Sequence, residues 1–185
     1  MCALRGARGR IMLYLCKMNN REKPRIPPNQ WVQPIAEFTA TRQNLPHLQL
    51  RGSWYASESN TWNGLVLTEE QRDKVFHAIH YRAGTKYDLE AAVVMPTHVH
   101  LIIHPLPKSE KGYYSLPEIF HSIKSYTANY YKMQLWQDEN YDHIIRNEKD
   151  FFEKLYYLIN NPVEAGLVAR PEDYRWLFYK GMPPK

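Results

Sequence analysis

The stretch VVMPTHVHLIIHP, residues 93–105, sets His98 and His100 two apart inside an otherwise aliphatic run. On a strand, residues i and i+2 share a face and lie about 7 Å apart. The two rings therefore project together, while Val99 and Leu101 project to the opposite side. Two neutral imidazoles so placed suit one divalent cation. The alternative is a pair of core histidines hydrogen-bonded to backbone or side chains. Position 102 is Ile, so the pattern is not that of histidine-triad nucleotide hydrolases. No His-x-Ser or His-x-Thr occurs in the chain, which argues against two-histidine phosphoesterases. His104 shares the face further along, so a three-histidine zinc site stays open.

A second group lies in EKDFFEKLYYLINN, residues 148–161. At helical spacing Phe151, Leu155 and Leu158 form one apolar line, with Phe152, Tyr156 and Ile159 beside it. Asp150, Lys154, Tyr157 and Asn161 fall on the remaining face, each three or four residues from the next. Of the adjacent tyrosines, Tyr156 thus points to the packed side and Tyr157 to the polar side. Tyr157 and Asn161 are neighbours on that surface. Docked against a histidine pair they place a nucleophile beside a metal; alone they read as an exposed Tyr and a helix-ending Asn before Pro162.

Elements to position these groups can be read from their starts. TEEQ puts Thr68 at an N-cap with Gln71 at the third helical position, a capping box; Val75, Phe76 and Ile79 follow as the buried stripe, and Gly84 ends the run. SLPE repeats the device with Ser115 and Glu118, and Pro117 is tolerated in the first turn. Leu116, Ile119, Ile123, Tyr126 and Tyr130 then recur at helical spacing. The third helix starts after Asn147 and is expected to stop at Pro162. KYDLEAAVVMPTHVHLIIHP reads as two antiparallel strands joined by a tight turn, covered on both faces and so central in a sheet. A weaker strand is expected around residues 48–56, where WYASESNTWNG is poor in β-formers, and YDHIIR (141–146) suggests a short extended piece. The order predicts an α+β fold with helices on an antiparallel sheet.

The chain has 185 residues, 44% hydrophobic and 14% aromatic, which suits one globular domain. Residues 1–44 are dense in proline and charge and read as a loosely ordered arm, followed by a domain over 45–178 and a tail over 179–185. A net charge of +5 is compatible with a polyanionic partner. Two cysteines, Cys2 and Cys16, exclude a disulfide scaffold and a cysteine zinc site. RIMLYLC is too short to span a membrane, so a cytoplasmic protein without a membrane partner is expected.

Together VVMPTHVHLIIHP, SIKSYTA, WQDENYDHIIR and LYYLINNPVEAGLV resemble the single-tyrosine HUH transposases, in particular the REP-associated tyrosine transposases. The likeness covers about residues 44–177, with four separated motifs in the family's order. It implies a ferredoxin-like sheet with helices on one face and the His98-Val99-His100 motif on a central strand. It implies Tyr157 as nucleophile, and Asn161 as third ligand, with His98 and His100, of Mg²⁺ or Mn²⁺. The activity implied is cleavage and transfer of single-stranded DNA near hairpins through a 5′-phosphotyrosine, by a monomer or a homodimer. Lys124 and Arg146 are the cations expected on phosphates, the alternative being solvated surface charge. A bound divalent ion would polarise the phosphate and make attack plausible by a phenol, a group that ordinarily keeps its proton to about pH 10. Two other readings remain: a hairpin-binding protein that no longer cleaves, and a metal-dependent phosphohydrolase using the histidines without the tyrosine.

Overall fold

The computed structural model describes residues 38–42, 46–50, 52–109 and 112–182. In chain order it comprises β1 (Phe38–Arg42), β2 (Pro46–Leu50), β3 (Trp54–Thr61), α1 (Glu69–Arg82), β4 (Tyr87–Val94), β5 (His98–Pro105), β6 (Pro107–Ser109), β7 (Gly112–Tyr113), α2 (Leu116–Tyr131), β8 (Trp136–Ile145), α3 (Glu148–Glu164) and β9 (Leu177–Tyr179). Of the arm expected over 1–44, only β1 is described, and it pairs antiparallel with β2. The expected tail is tied down at its start, where the Lys180 N–H donates to the Glu90 carbonyl at 2.8 Å. Residues 183–185 lie outside the described residues.

Both capping boxes form. Thr68 accepts from the Gln71 N–H and Ser115 from the Glu118 N–H, and each third residue reaches back to the cap's own N–H. These bonds satisfy donors that a helix start would otherwise leave unpaired. Gly84 follows the end of α1 at φ +76°, a conformation open to glycine at no steric cost.

Five strands form one antiparallel sheet in the order β8-β3-β5-β4-β9. The first four strands with α1 and α2 make a βαββαβ unit, which is the ferredoxin-like arrangement. The weak strand expected at 48–56 divides in two at Gly52, and its second part is no frayed edge. β3 runs eight residues between β5 and β8, paired on both sides. Its low β-propensity is overridden by these neighbours. Ser57, Ser59 and Thr61 are buried on the face that two helices cover, where small side chains let them approach. The extended piece expected at 141–146 is longer than its sequence suggested and fills all of β8.

The two sheet faces are built differently. Ile79 of α1 and Phe120 and Ile123 of α2 pack around Val99 and Leu101. Each such buried aliphatic side chain stabilises the fold by about 1.5–3 kcal/mol. Tyr126 and Tyr130 of α2 instead face outward, 41% and 54% exposed, and the buried stripe passes through Phe120 and Thr127. The expectation of helices on one face holds for α1 and α2. It fails for α3, which lies on the other face: Phe151 packs T-shaped on Trp54, whose ring also meets His104. The sheet has apolar residues on both sides, so a third helix must cover the second.

Candidate active site

α3 is held over that second face from its first turn. Asn147 caps it by accepting the Asp150 N–H at 3.0 Å, and Glu148 and Asp150 place negative charge where the helix dipole is positive. Phe151, Leu155, Leu158 and Ile159 bury their side chains. Beneath the helix the sheet offers small residues, Ala91 and Ala56 among them, so the two surfaces come close. Contrary to the expectation from sequence, Pro162 does not stop the helix but sits buried inside its last turn, which closes through the Ala165 N–H to the Asn161 carbonyl. A proline this near the end removes one hydrogen bond without breaking the run. Asn161 is thereby kept helical, one turn beyond Tyr157.

His98 and His100 lie on β5, the middle strand of the five, with Val93 and Glu58 flanking His100 on the neighbouring strands. The rings are 4.8 Å apart and nearly perpendicular. Asn161 faces both: its Oδ1 is 3.3 Å from His98 Nε2, and its Nδ2 is 3.3 Å from His100 Nε2. With this amide orientation His98 donates from Nε2 and His100 accepts there. The outward nitrogens have partners of their own. Thr97 Oγ1 is 3.2 Å from His98 Nδ1, and Glu58 Oε2 is 3.7 Å from His100 Nδ1. Burial, and after it the neighbouring His98, pushes the proton affinity of His100 down to about 3. Its ring is neutral at physiological pH.

Tyr157 completes the group. Its ring meets His100 edge to face at 5.4 Å, and the residue is 49% exposed. A cleft of about 150 Å³ opens there, lined by Ala56, Glu58, His100, Tyr141, His143, Lys154 and Tyr157 among others. Two imidazole Nε2 atoms and an amide oxygen converge, and each ring is oriented by an outer partner. Neutral imidazoles and an amide are ligand types that a divalent cation accepts, once the His98 proton sits on Nδ1 and the Asn161 amide turns its oxygen inward. Among the described residues no three His, Cys, Asp or Glu side chains gather as a metal-binding group. His104 does not join the pair; it packs against Trp54 at 5.2 Å and stands 4.0 Å from Asp88.

Lys124 is on the other face of the sheet. Its Nζ donates to the carbonyls of Gln137, Asp138 and Glu139 at 2.6, 3.3 and 3.4 Å. Burial lowers its pKa to about 8, against the pull of Asp138 and Asp142. It holds the start of β8 and is not brought to the site. Arg146 is exposed at the end of β8, and its N–H donates to Asp150 at 3.1 Å. Glu58 and His143 also line the cleft, although the sequence motifs assign neither a role. Strand alternation in YDHIIR puts Tyr141, His143 and Ile145 on one face, a usable signal for His143; Glu58 is identified only by the register opposite His100.

No protein-family model matches the chain. It is 28% identical over 125 residues to the REP-associated tyrosine transposase of Escherichia coli K12, covering 66% of this chain and 73% of that protein. It is 26% identical over 100 residues to a putative REP-associated tyrosine transposase of Haemophilus influenzae, covering 48% of this chain and 56% of that one. A solved REP-associated tyrosine transposase bound to a REP hairpin superposes with a TM-score of 0.65 at 22% identity, over 77% of this chain and 89% of the other. Among the described residues no helix is long and apolar enough to cross a membrane. The chain is related in sequence and in fold to the REP-associated tyrosine transposases.

Proposed function

We propose that this protein cleaves and rejoins single-stranded DNA beside a hairpin, with Tyr157 as the nucleophile. The observation that carries the reading is the contact of one face of α3 with the histidine pair: Asn161 bonds both rings and Tyr157 stands against His100. Kinship with transposases, one of them solved on a REP hairpin, supports hairpin DNA as the partner. A divalent cation such as Mg²⁺ or Mn²⁺, held by His98, His100 and Asn161, would supply positive charge to the scissile phosphate. Because all three side chains are neutral, they would leave that charge uncompensated.

The chain's own residues do the rest. Burial keeps the His100 Nε2 lone pair available, and Glu58 and Thr97 fix the ring orientations. α3 presents the Tyr157 hydroxyl at the open cleft. Its oxygen bonds to phosphorus as the bond from phosphorus to the 3′ oxygen breaks. The phenolic proton leaves and the departing 3′ oxygen takes one up, giving a 5′-phosphotyrosine and a free 3′ hydroxyl. The linkage keeps the energy of the phosphodiester, so a 3′ hydroxyl can reverse the step.

The test is incubation with hairpin-flanked single strands and Mg²⁺ or Mn²⁺, followed by denaturing electrophoresis. A covalent protein–DNA band supports the reading. Tight hairpin binding without that band in either metal would replace it with a binding protein. Strand scission without covalent attachment would replace it with a phosphohydrolase.

A further inference from the structure

The cleft beside Tyr157 extends away from the histidines toward the start of α3, where it is walled by Lys154 of the helix and by Tyr141 and His143 of β8. Lys154 lies one turn before Tyr157, on the opposite side from Asn161. The helix rise therefore sets the hydroxyl between an amide and an ammonium. A lysine on a helix normally finds a carboxylate four residues away. Here that residue is Asp150, and it is engaged elsewhere: its two oxygens are 3.1 and 2.9 Å from His143 Nε2, and one also accepts the Arg146 N–H at 3.1 Å. Among the described residues the Lys154 ammonium has no hydrogen-bond or ion-pair partner, although the residue is only partly exposed. Among the described residues the one carboxylate lining the cleft, Glu58, is turned to His100 Nδ1.

We infer that Lys154 binds a backbone phosphate of the single strand that enters this cleft. The inference rests on the function proposed above and adds to it a path for the strand, running from the histidine pair along α3 toward Lys154. An ammonium with no carboxylate partner of its own can make a charge-assisted hydrogen bond to a phosphate oxygen. The His143–Asp150 pair has a positioning role here, since it keeps the carboxylate from neutralising Lys154.

The test is fluorescence anisotropy over a range of salt concentrations, using a hairpin with a single-stranded extension and the same hairpin trimmed to its stem. Lys154→Gln should weaken binding of the extended hairpin roughly tenfold and reduce its salt slope by about 0.7, the share of one phosphate contact on a single strand. The trimmed hairpin should bind unchanged, and Lys154→Arg should restore the loss. Wild-type affinity and slope in Lys154→Gln, or an equal loss on both DNAs, would overturn the inference alone. A wild-type protein that binds neither DNA would overturn the functional reading and the inference with it.

Discussion

His100 and Tyr157 meet edge to face, ring centroids 5.4 Å apart and planes at 80°. The contact exists because one face of α3 docks on the strand that carries the histidines. The adjacent Tyr156 is turned about a quarter of the way around the helix. Tyr157→Phe should therefore abolish the covalent DNA adduct while leaving the melting temperature nearly unchanged, since the hydroxyl stands at an exposed position. Tyr156→Phe should leave adduct yield largely intact. The reverse pattern on a denaturing gel would show that the nucleophile had been assigned to the wrong face.

Asn161 links the two histidines, and all three are required if they hold one ion. Changing both His98 and His100 to Ala should remove cleavage and Mn²⁺ binding, the latter followed by calorimetry or by the paramagnetism of Mn²⁺. Hairpin affinity should stay within about tenfold, or ~1.4 kcal/mol, because positioning comes from distributed phosphate and base contacts. A double variant that fails to fold, beside a wild type that binds no metal, would identify the pair as core histidines.

The compact cleft suits an unpaired strand leaving a folded stem. Binding should favour a single-stranded hairpin over a perfect duplex of equal length, and it should weaken with salt as counterions are displaced. Equal affinity for the plain duplex at moderate salt would count against strand transfer.

Sequence made the core of this arrangement legible where local rules decide it. The capping boxes at Thr68 and Ser115 fixed two helix starts, and helical spacing separated Tyr157 from Tyr156. Strand alternation put His98 and His100 on one face. What stayed hidden depends on pairing between distant segments. Lys124 looked available for phosphate, yet only the docking of α2 on the far face gives its ammonium three carbonyls. Glu58 is near His100 through register alone. Pro162 read as a stop because propensity says nothing of a buried last turn.

Glu90 offers a test of the fold independent of DNA. It sits at a bulge in β4, between Leu89 and Ala91, and is 3% exposed. Its Oε1 has no hydrogen-bond partner among the described residues, and Lys180 Nζ stands 3.5 Å from Oε2. Burial raises its pKa, and Lys180 offsets the rise only in part. An acid whose affinity for its proton is higher in the folded state contributes stability that is fully present below the unfolded value, about 4.3. That contribution is lost as pH rises through the folded value. Glu90→Gln removes the titration, so its melting temperature relative to wild type should climb between pH 4 and pH 7.5, by a few degrees. Lys180→Ala should do the opposite, costing more stability at pH 7.5 than at pH 4, because it strands the carboxylate only when it is ionised. A difference between Glu90→Gln and wild type that is flat with pH would mean that Lys180 compensates the buried charge in full.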